Sequence, residues 1–379
     1  MRRLLLLVSA LVWVDTMLFA ALTPLLPSFH LSKASAGALV AAYAAGALVG
    51  GLPGGAAAAR LGSRRAVLVG LTLMGLASLG FAFVHGFWPL AAARFLQGCG
   101  SAFTWAGAFA WLLAAAPRER RGELIGSAMG AAIFGALFGP VVGAAAALLG
   151  RGSVFAALAG LAVVLAVWTF RIDPVPPERP STDAVMRALR SRLFLGGLAL
   201  MSLPALLFGV VQVLAPLRLH AAGWGAAAIG AVFLATAAGE AALSPLVGRL
   251  LDRRGALHPV RIALVLSAIF SVGLALGLRP AAYVPFILLA GGAYGVLFTP
   301  AFVLIADGAE RSGLPQGMAF GLMNAAWATG ALVGPAAAGA IATATGDVVP
   351  FLVSAGLCTA ALVAMRRARR RLESAAQGA

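Results

Sequence analysis

The feature that most constrains this chain is a series of long apolar runs recurring from one end to the other. About 20 apolar residues in helical form cross roughly 30 Å of hydrocarbon. Within a bilayer such a segment must satisfy its own backbone hydrogen bonds, which a helix does. Twelve runs can be drawn, at 4–26, 34–58, 66–84, 88–114, 122–149, 153–170, 193–217, 226–248, 259–278, 281–306, 316–343 and 347–365. Only 11% of residues are charged and the mean hydropathy is +0.98, so a soluble domain of this composition could not cover its surface. The expected fold class is an all-α membrane protein. Met1-Arg-Arg followed by an apolar run resembles a signal peptide. The run extends from Leu4 to about Leu26 and carries Asp15, so it reads as a retained first span. Cys99 and Cys358 lie inside apolar runs and read as small hydrophobes, with no disulfide framework.

The twelve runs divide into two similar halves. Gly135-xxx-Gly139-Pro140-xx-Gly143 is echoed by Gly330-xxx-Gly334-Pro335-xxx-Gly339, the prolines standing 195 residues apart. Pro24 answers to Pro216, Gly55 to Gly248, and Gly100 and Thr104 to Gly295 and Thr299, at offsets of 192 to 195. Four landmarks in one order at one offset point to internal duplication. The expectation is therefore two pseudosymmetric six-helix bundles, residues 1–170 and 193–365. They are separated by the proline-rich, charged linker 171–192 and followed by a basic tail, 366–379. Within the linker, Asp183–Arg190 reads as one or two turns of surface helix.

Basic residues set the expected orientation. With the N-terminus inside, cytoplasmic segments hold 23 of the 28 lysines and arginines, and the opposite face holds Lys33, Arg151, Arg218 and Arg279. Both termini are then cytoplasmic in a plasma (inner) membrane. The linker and the tail, rich in arginine, rest against anionic lipid rather than nucleic acid. Away from the span ends only Asp15, Arg94 and Glu240 are charged. A charge in mid-bilayer costs a few kcal/mol and turns toward protein or a water-filled cavity. Spans 1, 4 and 8 should therefore line something polar, while spans 3, 6, 9 and 12, apolar in their interiors, face lipid.

These residues resemble a family. Gly55, Arg60, Gly62, Arg64 and Arg65 are similar to the loop motif between spans 2 and 3 of the major facilitator superfamily, with Ala59 where that motif carries aspartate. Gly248, Asp252, Arg253 and Gly255 form the second-half copy and keep the aspartate. Arg94-Phe-Leu-Gln97-Gly98 resembles the span-4 motif of proton-coupled members, and Gly135 to Gly143 the span-5 motif of antiporters. Trp13-Val-Asp15 followed by Pro24-Leu-Leu-Pro27 is similar to the first span of drug:proton antiporters and vesicular amine transporters. The resemblance implies alternating access by rocking of the halves about a midplane site. One departure is that vesicular amine transporters carry acidic residues late in the second half, whereas spans 10 and 11 as drawn here carry none.

Asp15 lies about 11 residues into span 1, near the midplane at 1.5 Å per residue. A carboxyl there favours its neutral form when dry and its charged form when wet. It is the leading proton carrier, or an anchor for a cation, with helix packing as the alternative role. Arg94 stays charged and needs a partner. It either modulates Asp15 or braces helix carbonyls together with Gln97. Glu240, in the cytoplasmic half of span 8, is the second proton-coupling candidate. Tyr43, Gln97, Trp105, Gln212, Asn324 and Trp327 are the candidates for substrate contact, Trp105 and Trp327 offering π faces to a lipophilic cation; Trp111 joins them as an amphipathic candidate. The loop residues Arg60, Arg64, Arg65, Asp252 and Arg253 read as latches between helix ends, and Asp307, Glu310 and Arg311 as solvated. Gly139-Pro140 and Gly334-Pro335 should make helices 5 and 11 a sliding contact between halves.

No phosphate-binding loop, metal constellation or cofactor motif is present, and no enzyme is implied. The reading is a monomeric secondary transporter of a small molecule, coupled to protons and exporting a lipophilic or cationic compound. The alternatives are transport of a sugar, organic acid or other metabolite without proton antiport, or a non-transporting sensor. The sensor reading is weakened by only 13 residues following Arg366. The orientation has a direct check. A cysteine at Thr182 should resist an impermeant thiol reagent in intact cells while one at Gly152 labels; outside labelling at Thr182 would invert the topology.

Overall fold

The computed structural model describes residues 1–117, 120–174, 182–277, 279–314 and 316–377, with the side chains at 121–123, 182, 245, 252, 316–317 and 368–377 also outside the description. Twelve helices among these residues are long and apolar enough to cross a membrane. They run Arg2–Phe29, Lys33–Arg60, Ser63–Phe83, Phe87–Ala115, Leu124–Leu149 and Arg151–Phe170 in the first half. The second half has Arg192–Ala221, Ala226–Leu251, Leu257–Ala275, Pro280–Arg311, Met318–Thr345 and Val348–Arg367. They are called spans 1 to 12. No strand occurs among the described residues.

Local sequence explains where the helices begin and break. Ser32 and Ser191 cap spans 2 and 7, each hydroxyl oxygen accepting from the backbone N–H three residues on, Ser35 at 3.2 Å and Phe194 at 3.4 Å. Gly62 and Gly255 occupy equivalent places after spans 2 and 8 with φ of +89° and +72°, a backbone open to glycine at little cost. Span 1 turns at Ala21 and finishes in a short 3-10 segment, Leu26–Phe29, next to Pro24 and Pro27. Span 10 is interrupted at Leu297, between helices Pro280–Val296 and Phe298–Arg311. It reaches further than its apolar run, so Asp307 and Glu310, expected in a loop, belong to its last turns.

The linker forms a helix over Thr182–Arg190, longer than the turn or two expected, while residues 175–181 lie outside the description. Ala184 and Ala188 bury one face of it in a cluster with Phe194, Ile305 and Ala309. The last helix continues to Gln377, so the expected tail is a helical extension of span 12.

Small residues set the helix crossings. A Cβ built on Gly135 would meet Thr16 Oγ1 and the Trp13 carbonyl; on Gly139, Ala20; on Gly143, the Ala21 carbonyl. Gly330 and Gly334 face the carbonyls of Ser202 and Leu206 in the same way. Within the stripes, Gly135, Gly139 and Gly143 pack span 5 on span 1 and Gly330 and Gly334 pack span 11 on span 7 inside each half, while Pro140, Pro335 and Gly339 of the same helices make the contact between halves expected of helices 5 and 11. The neighbouring helix face makes that contact. Gly37 of span 2 abuts the Pro335 carbonyl, and Gly230 of span 8 lies 3.0 Å, at its ideal Cβ, from the Pro140 carbonyl. Gly37 and Gly230 are themselves 193 residues apart, so one glycine–proline contact is made twice by the duplicated halves. Polar staples repeat as well: Gln97 donates to Ser78 at 3.1 Å between spans 4 and 3, and Ser271 pairs with Tyr294 at 2.7 Å between spans 9 and 10.

The two classes of glycine should respond differently to added bulk. Gly334→Leu forces overpacking inside a bundle at a cost of roughly 1–3 kcal/mol or more and should lower the melting temperature. Gly230→Leu should leave the bundles intact but block closure between halves, abolishing transport at near-normal melting temperature. Scanning fluorimetry beside a transport assay reads both; equal melting losses would remove the distinction.

Candidate functional site

Between the halves lies a cavity of about 990 Å3. Its walls come from spans 1, 2, 4 and 5 on one side and 7, 8, 10 and 11 on the other, and none of its lining residues belongs to spans 3, 6, 9 or 12. It reaches the bundle end that carries the termini, where Ile125, Ser244, Glu310 and Phe320 line it. At the opposite end the halves are held together. Lys33 pairs with Asp347 at 2.5 Å and the Ala34 N–H donates to Thr343 at 3.1 Å, beside the Gly37–Pro335 crossing. That ion pair is partly exposed, 39% and 25%, so it contributes no more than about 1 kcal/mol.

Asp15 is buried on the wall of this cavity and accepts three hydrogen bonds. Tyr43 gives its hydroxyl proton to Oδ1 at 2.7 Å, while Ser101 and the Trp105 indole donate to Oδ2 at 3.0 and 2.6 Å. Three donors on two oxygens occupy most of the roughly four acceptor sites of a carboxylate. They come from spans 2 and 4, so the charge expected on span 1 ties three helices of the first half together. Tyr43, one of the substrate candidates, is spent on this task although its edge lines the cavity.

Arg94 makes no ion pair with Asp15 among the described residues. Its guanidinium donates to the carbonyls of Leu18 and Phe19 at 3.1 and 3.3 Å and to Gln97 Oε1 at 3.0 Å. These carbonyls belong to the end of a helix, Arg2–Ala20, where partners are short. The guanidinium also lies 4.8 Å from the ring centroid of Tyr43, the residue that donates to Asp15 Oδ1. Gln97, placed by sequence among the substrate contacts, is instead fully buried between Arg94 and Ser78 and does not line the cavity. Trp111 is likewise off the wall, its indole donating to the Asp173 carbonyl at 3.2 Å.

Trp105, Gln212, Asn324 and Trp327 do line the cavity. Trp105 stacks on Phe109 at 5.3 Å, and Phe109 stacks on Phe320 of the second half at 5.1 Å. Trp327 meets Phe19 edge-on at 5.1 Å, and Phe19 leans on Tyr43 at 5.2 Å. A chain of rings thus runs from span 11 to the donor of Asp15. Glu240 also lines the cavity, and Phe208, Phe298 and Thr236 join it on the second-half wall. These last three had no sequence signal beyond lying in a lining span.

The loop residues sit apart from the cavity. Arg64 lies over the Phe170 ring at 5.3 Å, within its own half, and Arg254 approaches His258 at 3.2 Å. Arg60, Arg65 and Arg253 are exposed, and the Asp252 side chain lies outside the described residues. Gly55, Gly62, Gly248 and Gly255 have open space where a Cβ would stand. No contact across the halves engages the described loop residues, in keeping with a cavity open at their end.

Known proteins can be set beside this geometry. The fold is similar to the xylose transporter XylE of E. coli in a partially occluded, inward-open conformation, with a TM-score of 0.74 and 14% identity over 96% of this chain and 98% of that one. A D-xylose–proton symporter structure matches with a TM-score of 0.73 and 18% identity, covering 95% of each chain. In sequence, an MFS-type transporter, ppzB of Metarhizium rileyi (strain RCEF 4871), is 30% identical over 164 residues, which is 41% of this chain and 34% of that protein. The chain therefore spans about a third of the length of the curated relative it matches. The profile of the Major Facilitator Superfamily matches residues 4–317. With twelve apolar helices in two echoing halves around a central cavity, this chain belongs to the Major Facilitator Superfamily and is a membrane transporter, not an enzyme.

Proposed function

We propose that this transporter exports a small lipophilic cation in exchange for protons. The observation that carries the reading is the charge on the cavity wall. The chain as a whole has a net charge of +16, yet among the described residues the charged ones lining the cavity are Asp15, Glu240 and Glu310, with no lysine, arginine or histidine. Around them stand Phe19, Trp105, Phe208, Phe233, Phe298 and Trp327. Acidic groups in an aromatic, apolar cavity attract an organic cation and repel a phosphate or carboxylate. The cation enters from the side bearing the termini, which the arginine distribution makes cytoplasmic in a plasma (inner) membrane. The protein works as a monomer with its basic linker and tail against anionic lipid.

Asp15 is the proton carrier in this reading. Its three donors favour a charged carboxylate while the cavity is open toward the termini, so the proton has left on that side. Protonation makes one of these donors redundant and favours the opposite state. Arg94, by holding Tyr43 and the end of the Arg2–Ala20 helix, positions the donor set.

Proteoliposomes with an imposed pH gradient test this. Tetraphenylphosphonium should move against its own gradient. Asp15→Asn should abolish that movement with the protein still folded, and Asp15→Glu should keep part of it. Xylose, an uncharged sugar carried by the structural relatives, should not move. Gradient-driven xylose transport without tetraphenylphosphonium transport would replace the cation reading with a sugar one.

A further inference from the structure

The two carboxyls in the heart of the cavity are supplied very differently. Both oxygens of Asp15 are taken by protein donors, whereas the Glu240 carboxyl has no hydrogen-bond or ion-pair partner among the described residues. The hydroxyls one turn to either side are already committed. Thr236 donates to the Val232 carbonyl at 2.8 Å, and Ser244 donates to the backbone carbonyl of Glu240 at 3.0 Å. The side chain lies along span 10, where a Cβ on Gly295 would overlap its Cγ and Cδ, so the glycine makes room for it. Phe208 and Phe298 stand on the same side of the cavity, their rings stacked at 6.1 Å and 7°. Among the described residues no basic side chain lines the cavity to neutralise it.

A carboxyl in this setting must take its partner from what the cavity contains. We infer that Glu240 is the anchor for the positive group of the substrate, with the Phe208–Phe298 pair forming the apolar wall beside it. Asp15, which already accepts three protein hydrogen bonds, is the less needy of the two acids. The two halves then divide the work: the first holds the proton site and the second recognises the charge of the cargo. The inference rests on the cationic-substrate reading above and assigns the residue that performs it.

Equilibrium binding to the purified full chain tests it with two ions of matched shape, tetraphenylphosphonium and tetraphenylborate. The wild type should prefer the cation. Glu240→Gln should weaken cation binding by roughly thirtyfold, the lower end of what losing one partner of a close charge pair does, and leave the anion unchanged or tighter. Glu240→Asp should restore part of the preference. A Glu240→Gln protein that binds both ions as the wild type does, or loses both equally, would overturn the assignment while leaving the cationic reading intact. A wild type that binds neither ion overturns both. Should Glu240→Gln fail to fold, the wild type still decides: tetraphenylphosphonium must protect Glu240 from an apolar carbodiimide, read by peptide mass, and modification at the unprotected rate would refute the anchor.

Discussion

A carboxylate set among apolar helices has to be answered by donors, and the organisation of the first half follows from how Asp15 is answered. Tyr43, Ser101 and Trp105 reach it from spans 2 and 4, which cross so closely that Gly46 and Gly98 leave no room for a Cβ against the partner backbone. Arg94 needs partners for the same reason and finds them in the carbonyls at the end of the Arg2–Ala20 helix and in Gln97. One acid and one base, each costly to bury, are thus both used to fix helices to one another instead of pairing directly. The Tyr43 ring stands between them, 4.8 Å from the guanidinium and hydrogen-bonded to the carboxylate.

The same ring links the acid to the second half. Trp327 rests on Phe19 and Phe19 on Tyr43, so displacement of span 11 relative to span 1 is felt at a donor of Asp15. The halves touch through paired contacts that duplication makes equivalent, Gly37 on Pro335 and Gly230 on Pro140. Neither contact carries a strong directional bond, and the Lys33–Asp347 pair beside one of them is partly exposed. Interfaces of small residues with little polar commitment can part and re-form at modest cost, which two-state access requires. Gly135, Gly139 and Gly143 of span 5 and Gly330 and Gly334 of span 11 instead pack each helix within its own bundle.

Much of this was legible in the sequence because a bilayer imposes strong rules. Apolar length gave twelve spans, and a shared offset near 193 gave two halves. The placement of Asp15 and Glu240 foretold that spans 1 and 8 reach the cavity, with spans 3, 6, 9 and 12, apolar in their interiors, left off its walls. What failed to show depends on which helix a given face meets. The stripe Gly135-Gly139-Gly143 announces a close contact but not its partner, which proved to be span 1. Gln97 reads as a polar wall residue until Arg94 and Ser78 are seen to enclose it. The break at Leu297 is marked by Pro300, which withholds an N–H from the Val296 carbonyl, but nothing in the apolar run shows that span 10 continues past it and carries Glu310 to the cavity mouth. The inequality of Asp15 and Glu240 is likewise invisible in one dimension, since donors come from other helices.

The central claim is that the charge state of Asp15 biases which end of the transporter is open. Distances between spin labels on cysteines at Ser28 and Thr345, one in each half at the end opposite the termini, measure this directly by pulsed electron resonance. The account predicts short distances at alkaline pH, a longer population appearing on acidification, and the longer population at both pH values in Asp15→Asn. An Asp15→Asn protein whose distances still shift with pH as the wild type's do would contradict it.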